Sequence, residues 1–250
     1  MKVAAYQCPL PGSASMRAVD LICNRVRWSE ANGIEILCCP EAVLGGLADY
    51  AECPAAVARS VEQLGVLLSP LASRTVTTIL GFTEIAGGLL YNSAVVFHQG
   101  MVVGTHRKQH PAIRSSVYTA GVEARVFTVG VLTFGILICN DSNFEEPARS
   151  MVAKGATAFF VPTNCGLPEG RAGVEIINET RKVDVARARM FGVSVIRADV
   201  VGSCGGLHSF GCSGIVDAAG AVVQDAPAGT EALLVADIPR TKSNLARTAS

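Results

Sequence analysis

The segment FGILICNDSNFEEPAR, residues 134–149, constrains the fold of this 250-residue chain more than any other. Apolar and partly β-branched residues from Phe134 to Ile138 predict a buried strand. The polar residues after Cys139 are typical of turns and helix N-caps, and Pro147 suits the first turn of a helix. Cys139 is therefore expected at the end of a core strand, where α/β folds bind ligands and present nucleophiles. Cysteine is also a common buried apolar residue, so this segment alone leaves packing and nucleophile roles open.

The apolar pattern of the remaining chain predicts strands that alternate with helices. The predicted strands are Lys2–Gln7, Ile34–Cys39, Val76–Thr83, Asn92–His98, Met101–Thr105, Arg125–Val129, Ala156–Val161, Val193–Ala198, Ser213–Asp217, Ala221–Gln224 and Leu233–Ile238. The predicted helices are Ala14–Asn32, Val57–Ala72, Pro147–Lys154 and Gly173–Met190. The segment Gly202–Gly206 is predicted to be a flexible loop. This order, without a linker or an internal repeat, predicts a single α/β domain over residues 1–250, with two mixed β-sheets and helices outside.

Composition argues against several classes of protein. Lysine plus arginine and aspartate plus glutamate balance at 21 each, so no basic surplus indicates a nucleic-acid partner. The apolar runs are shorter than the ~18 residues of a membrane-spanning helix, and the N-terminus is a poor signal peptide. Nine scattered cysteines without CxxC spacing indicate reduced thiols in a cytoplasmic protein. Four scattered histidines predict no metal site.

Two further strand ends each carry a charged residue. Glu41 follows Pro40 at the end of an apolar run, where a buried charge without a partner would cost several kcal/mol. Lys108 follows a predicted hairpin, in a basic cluster that ends at Pro111. Taken alone, Glu41 could equally be a solvated loop glutamate, and Lys108 could be an exposed surface lysine, as most lysines are.

Glu41, Lys108 and Cys139 together would supply a mechanism of nucleophilic catalysis. A thiol with an ordinary pKa near ~8.5 is mostly protonated at neutral pH and needs a base or a positive field. A carboxylate can take the thiol proton, and an ammonium can stabilise both the thiolate and the oxyanion of a tetrahedral intermediate. The backbone N–H of Asn140 is the expected second oxyanion donor.

Six segments resemble, in the same order, the motifs of the nitrilase or carbon–nitrogen hydrolase superfamily. They are LCCPEAVLGG with Glu41, the hairpin from YNSAVVF to Lys108, ILICNDSNF with Cys139, PTNCG, RARMFGVSV and SFGCSGIVDAAGAVV. The resemblance covers essentially the whole chain. It implies a four-layer αββα sandwich, in which Glu41 is the general base, Lys108 stabilises the tetrahedral intermediates and Cys139 forms a thioester.

The resemblance implies hydrolysis of a small linear amide to a carboxylic acid and ammonia, by a homodimer or larger homo-oligomer and without a metal or organic cofactor. An N-carbamoyl amino acid hydrolase and a nitrilase are the alternatives within this chemistry; a non-catalytic, ligand-binding member of the superfamily is the alternative outside it. Asn143 and Phe144 occupy positions where carbamoyl-amino-acid hydrolases often carry arginine, which disfavours that class. The loop with Asn164 and Cys165 is expected to line the pocket, although packing is the favoured role of Cys165.

Two positions depart from the family pattern. Many members carry a second glutamate seven residues before the glycine that ends the loop after the lysine, and this chain has Arg114 there. Because arginine suits bidentate carboxylate recognition, we hypothesise that Arg114 binds a substrate carboxylate; the alternative is that it turns to solvent or pairs with Glu123. Met190 and Phe191 replace the family's Glu-Asn pair, and altered packing rather than lost chemistry is expected there.

Overall fold

A computed structural model describes residues 1–12, 15–168 and 173–239 of the chain. Strands β1 to β15 are Lys2–Pro9, Ile36–Cys38, Thr77–Ala86, Leu89–His98, Met101–Arg107, Val126–Val129, Leu132–Ile136, Ala158–Pro162, Leu167–Pro168, Ser194–Ala198, Val200–Cys204, Leu207–Ser209, Gly214–Val216, Val222–Asp225 and Ala232–Asp237. Helices α1 to α4 are Ser15–Ala31, Val61–Leu67, Glu145–Ala153 and Val174–Phe191. Short 3-10 helices lie at Ala48–Tyr50, Pro54–Val57, Ser69–Leu71 and Cys139–Asn143.

The strands form two mixed sheets. The larger sheet has the order β5-β4-β3-β2-β1-β11-β12-β9, and β15 also pairs with β1. The smaller sheet has the order β14-β13-β10-β8-β7-β6. Strand β1 lies inside the larger sheet. Six successive residues of it are buried, as expected for a strand that is covered on both faces. It pairs parallel with β2 and antiparallel with β15.

Three apolar cores separate four layers of secondary structure. One core, with Ile36 and Phe134, lies between the two sheets. A second, with Ile22, packs α1 against the outer face of the larger sheet. A third, with Met151 and Ala188, packs α3 and α4 against the smaller sheet. The predicted αββα sandwich with two mixed β-sheets is therefore confirmed.

Two predicted elements are wrong in extent or type. The helix predicted over Val57–Ala72 is reduced to α2, because Ser60 forms a capping box with Gln63 and starts the helix late. A 3-10 segment that contains Pro70 then follows α2. The predicted flexible loop Gly202–Gly206 belongs instead to an antiparallel hairpin of β11 and β12, whose turn uses two glycines at positive φ.

The other predicted elements agree with the structure to within a few residues at their ends. The first helix is described from Ser15 onward, and its predicted first residue, Ala14, lies outside the described residues. Among the helices of the described ranges, none is long and apolar enough to cross a membrane.

Candidate active site

A cavity of about 240 Å³ lies where strand ends of both sheets meet, and its wall contains Glu41, Lys108 and Cys139. Glu41 follows β2 and Lys108 follows β5, both in the larger sheet, whereas Cys139 follows β7 in the smaller sheet. The two sheets pack face to face, so loops from both reach the same cavity. The structure therefore brings together the three residues at which the sequence predicts chemistry.

Glu41 is only 1% exposed, and both of its carboxylate oxygens have partners. Oε1 accepts hydrogen bonds from Lys108 Nζ at 2.5 Å and from Asn92 Nδ2 at 2.7 Å. Oε2 accepts the backbone N–H of Asn164 at 2.9 Å. These partners offset the cost of burying the charge and hold the carboxylate in one orientation.

Lys108 is also buried, and its backbone N–H donates to the carbonyl of Asn92 at 2.7 Å. Burial alone would lower the pKa of Lys108, but the negative charge of the Glu41 carboxylate, which also accepts a hydrogen bond from Nζ, opposes this effect, and the pKa is raised. The lysine is therefore a fixed cation at neutral pH. A fixed cation is the property that oxyanion stabilisation requires.

Cys139 is the first residue of a 3-10 helix and has a φ of 46°. A residue with a β-carbon pays of order 1 kcal/mol or more for this left-handed conformation. The Ser142 hydroxyl, which donates to the Cys139 carbonyl at 2.7 Å, helps to hold the turn. Tight, strained turns of this kind present nucleophiles at strand-to-helix junctions, and the thiol here is partly exposed to the cavity.

Asp141 connects the turn that carries Cys139 to the loop that carries Lys108. Its Oδ1 accepts the backbone N–H groups of Gln109 at 3.1 Å and of His110 at 2.8 Å, and its Oδ2 accepts that of Ile138 at 3.1 Å. Burial raises the pKa of Asp141 to about 6, against the opposing effects of the Lys108 charge and the backbone donors.

A buried ion pair also contacts the loops that form the cavity wall. Arg197 of β10 contacts Asp184 of α4 through Nη2 and Oδ1 at 2.6 Å, and both side chains are almost fully buried. Arg197 also donates to the hydroxyls of Ser142 at 2.9 Å and of Thr163 at 2.7 Å. This pair therefore ties α4 and β10 to the loops on either side of the cavity.

Three further residues that the sequence analysis placed at the pocket, Asn140, Asn164 and Cys165, do line the cavity. Asn164 Nδ2 donates to the Glu41 carbonyl at 3.3 Å, and Asn140 Nδ2 donates to the His110 carbonyl at 3.1 Å. The Asn140 side chain is thus structural, while the oxyanion role of its backbone N–H stays a prediction.

Arg114 is not brought together with these residues. Its side chain is exposed and is not part of the cavity wall. This placement does not support our hypothesis that Arg114 binds a substrate carboxylate, and it agrees with the alternative that the side chain turns to solvent. The loop instead directs Tyr118 inward, where its hydroxyl accepts the Ala48 N–H at 2.7 Å. Glu123, which was the other suggested partner of Arg114, instead lies near Arg125, with 3.9 Å between Glu123 Oε2 and Arg125 Nε.

Sequence reasoning missed many residues of the cavity wall, among them Asn92, Asp49 and Tyr118. Asn92 belongs to the YNSAVVF segment of the family resemblance, and a buried strand residue with an amide side chain was a usable signal. Asp49 lies in a turn-rich segment that gives no periodic signal. Its carboxylate accepts the Val117 N–H at 2.8 Å and the Ser116 hydroxyl at 3.1 Å.

Comparison with known proteins identifies the family of this chain. A family model described as carbon-nitrogen hydrolase matches residues 2–248. The glutamine-dependent NAD(+) synthetase of Xylella fastidiosa is 27% identical over 252 residues, which cover 97% of this chain and 45% of that protein. The N-carbamoylputrescine amidase of Arabidopsis thaliana is 29% identical over 181 residues, 66% of this chain and 60% of that protein. The chain thus spans about half the length of the synthetase and less than two thirds of the amidase.

A solved structure shows the same fold. The amidase of Nesterenkonia AN1, from the nitrilase superfamily, matches with a TM-score of 0.81 at 23% identity, over 96% of this chain and 92% of that one. At this identity the likeness establishes the shared four-layer architecture.

Proposed function

The chain belongs to the carbon–nitrogen hydrolase family, and we propose that it hydrolyses a small linear amide to a carboxylic acid and ammonia. The observation that carries the proposal is the buried Glu41–Lys108 pair, 2.5 Å apart, in the wall of the cavity that also contains the Cys139 thiol. A base, a fixed cation and a thiol in one cavity are the groups that acyl transfer through a thioester requires.

In the first half-reaction, Glu41 takes the proton of the Cys139 thiol and Sγ attacks the amide carbonyl carbon. The negative charge that develops on the carbonyl oxygen is stabilised by the Lys108 ammonium and by the backbone N–H of Asn140. Glu41 then gives its proton to the amide nitrogen, the C–N bond breaks and ammonia leaves. The product of this step is a thioester between Cys139 and the acyl group.

In the second half-reaction, Glu41 takes a proton from a water molecule, which attacks the thioester carbonyl. The second tetrahedral intermediate uses the same two donors, because its oxyanion forms at the same carbon. The C–S bond then breaks, the Cys139 sulfur recovers a proton from Glu41 and the carboxylic acid leaves. Asn92 and Asn164 keep the Glu41 carboxylate in position through both half-reactions.

The charges of the cavity wall favour a substrate that carries a positive group. Lys108 is paired with Glu41 and Arg197 with Asp184, whereas Asp49 forms no ion pair within the described part of the chain. An ammonium group on the substrate would therefore find a carboxylate partner at Asp49. We propose an amino-substituted amide as the preferred substrate, in place of the carboxylate-bearing amide first suggested by Arg114.

The other reactions of the family differ in the group that Cys139 attacks. An N-carbamoyl group would release ammonia, carbon dioxide and the amine that carried it, and a nitrile would take up water before ammonia leaves. The catalytic groups are the same in all three cases, so an ammonia-release screen over small amides, ureido compounds and nitriles separates them. Each class should include one member with an amino group and one without.

The control variants make this screen decisive. Cys139→Ala is the blank, and Cys204→Ala is the matched control because that thiol is also partly exposed but is not part of the cavity wall. We expect ammonia release from amides by the wild type and by Cys204→Ala, and none above background by Cys139→Ala. Release no greater than that of the blank on every class would overturn the proposal.

A thiol titration separates the hydrolase from a non-catalytic, ligand-binding member of the family. Iodoacetamide at pH 6 should label Cys139 far faster than the other eight cysteines, if this partly exposed thiol, in the same cavity wall as Glu41 and the Lys108 ammonium, is the activated nucleophile. Glu41→Gln should change that rate. Uniformly slow labelling of all cysteines would favour the binding protein.

A further inference from the structure

Three cysteines form a contiguous row that starts at the cavity. Cys139 and Cys165 both line the cavity, and Cys165 Sγ lies 3.8 Å from Cys212 Sγ. The pKa of the Cys165 thiol is raised, first by its side-chain interaction with the Cys139 thiol, then by that with Cys212 and by burial. Cys165 is therefore the middle member of the row.

One carboxylate holds the two inner cysteines side by side. Asp199 Oδ1 accepts the backbone N–H of Cys165 at 2.9 Å, and Oδ2 accepts that of Cys212 at 2.9 Å. The two sulfurs are close enough that side-chain rotation and a small backbone adjustment can bring them to the ~2.05 Å of a disulfide bond. The Cys212 thiol also donates to Asp199 Oδ2 at 2.9 Å, so a base for its proton is already in contact.

We propose that Cys165 and Cys212 are a resolving pair, which reduces Cys139 after a hydroperoxide has oxidised it and stores the oxidation as a Cys165–Cys212 disulfide. The proposal rests on the proposed function in one respect, which is that Cys139 is the reactive thiol of the cavity. No catalytic turnover of an amide is required for it.

The chemistry balances over three steps. The Cys139 thiolate attacks one oxygen of hydrogen peroxide, an S–O bond forms as the O–O bond breaks, and the product is a sulfenic acid, while the released hydroxide takes a proton to become water. Cys165 Sγ attacks the sulfenic sulfur, the S–O bond breaks, and the Cys139–Cys165 disulfide forms with loss of a second water. Cys212, its proton passed to Asp199, attacks the Cys165 sulfur, and Cys139 leaves as the thiolate.

The order of the steps follows from exposure and protonation. Cys139 is partly exposed beside the Lys108 cation, whereas Cys212 is only 2% exposed. The pKa values of Cys165 and Cys212 are both raised, so these two thiols are mostly protonated and react slowly with peroxide themselves. Peroxide therefore meets Cys139 first, and the pair prevents its further oxidation to the irreversible sulfinic acid.

The test is peptide mapping by mass spectrometry after the whole protein has been treated with hydrogen peroxide and alkylated without reduction. In the wild type we expect a linked Cys165–Cys212 peptide and a Cys139 that is still free to be alkylated. In Cys165→Ser we expect a Cys139 sulfenic acid that dimedone traps, and about tenfold more sulfinic acid at Cys139 than in the wild type. Cys204→Ser, outside the row, should behave as the wild type does.

Two further variants test the sequence of steps. Cys212→Ser should accumulate the Cys139–Cys165 disulfide, reversibly with dithiothreitol. Cys139→Ala should form the Cys165–Cys212 disulfide at least about tenfold more slowly than the wild type, because the first acceptor of oxygen is missing. Formation at the wild-type rate in Cys139→Ala would overturn the proposal, since oxidation would then bypass Cys139.

A second result would also overturn the proposal. In that result the wild type forms no linked Cys165–Cys212 peptide, and sulfinic acid at Cys139 is equal in the wild type and in Cys165→Ser. If the buried Cys212→Ser substitution prevents folding, the comparison of the wild type with Cys165→Ser is sufficient to test the proposal. Every readout is a peptide mass, so the result is separable from the hydrolase proposal. A protein that forms the disulfide but releases no ammonia fails only the proposed function, and one that releases ammonia without the disulfide fails only this inference.

Discussion

The Asp141 carboxylate, two residues after Cys139, accepts the backbone N–H of His110, two residues after Lys108, at 2.8 Å. This contact joins the loop of the nucleophile to the loop of the cation across the gap between the two sheets. The same side chain also accepts the N–H groups of Gln109 and Ile138. One buried carboxylate therefore sets the relative position of two candidate catalytic residues.

Replacement of Asp141 by asparagine should weaken this junction. The amide keeps one oxygen but places an NH2 group against a backbone donor, so one buried N–H loses its acceptor. We expect a loss of about 1–3 kcal/mol in the free energy of unfolding, measured by denaturant titration. Asp217→Asn is the matched control, because Asp217 also accepts two backbone N–H groups but in a partly exposed turn. Equal losses in both variants would contradict the assigned role.

Asp141 should also make stability depend on pH. Its pKa is raised from 3.8 to about 6, so between these values the folded state binds more protons than the unfolded state. Its contribution to the free energy of unfolding is therefore fully present below the lower value and declines as the pH rises to about 6. The difference in stability between wild type and Asp141→Asn should shrink over this interval. A difference that grows with pH would show that the pKa is lowered instead.

Gly81 of β3 determines how closely that strand approaches the segment that carries Glu41. A β-carbon at position 81 would lie 2.5 Å from the Glu41 α-carbon and would also meet the Ala42 nitrogen. We expect Gly81→Ala to displace Glu41, to cost about 1–3 kcal/mol of stability, and to reduce kcat. Gly65→Ala is the control, because a β-carbon at that position of helix α2 would meet no atom within 4 Å. That substitution should be neutral or stabilise by up to about 1 kcal/mol.

Lys108→Met should leave the Glu41 charge buried without its cation. Breaking a buried pair in this way costs about 3–5 kcal/mol, and loss of the oxyanion donor should lower kcat by about 10²–10³. The exposed Lys182→Met is the control and should change neither quantity. Adding Glu41→Gln to Lys108→Met removes the unpaired charge, so part of the stability should return while activity does not. Full additivity of the two stability losses would contradict direct pairing.

Asp49 should select for the charge of the substrate. If Asp49 contacts an ammonium group, Asp49→Asn should raise KM about tenfold or more for an amino-substituted amide, with little change for the neutral amide of the same length. Arg114→Ala, in the exposed part of the neighbouring loop, is the matched control and should affect the two substrates equally. The same loss on both amides in Asp49→Asn would assign Asp49 to loop structure, through Val117 and Ser116.

Local sequence patterns predicted much of the architecture. The apolar runs before Glu41 and Cys139 each predicted a strand, because continuous apolar segments bounded by turn residues need burial on both faces. The strand before Lys108 was predicted from the hairpin pattern across Gln99 and Gly100. The order of strands and helices predicted two sheets with helices outside. The helix over Val57–Ala72 was overestimated, since its apolar spacing continues past a cap at Ser60 and a proline at position 70.

The sequence by itself determined which residues could carry chemistry and that each would stand at a strand end. Only the tertiary structure decided which side chains face the cavity. It turned Arg114 outward and Tyr118 inward, and it placed Asn92 against Glu41. It also set Cys165 beside Cys212, forty-seven residues away along the chain. The physical reason is that local periodicity reports burial and secondary structure, whereas these contacts depend on how two separate sheets pack and where their loops meet.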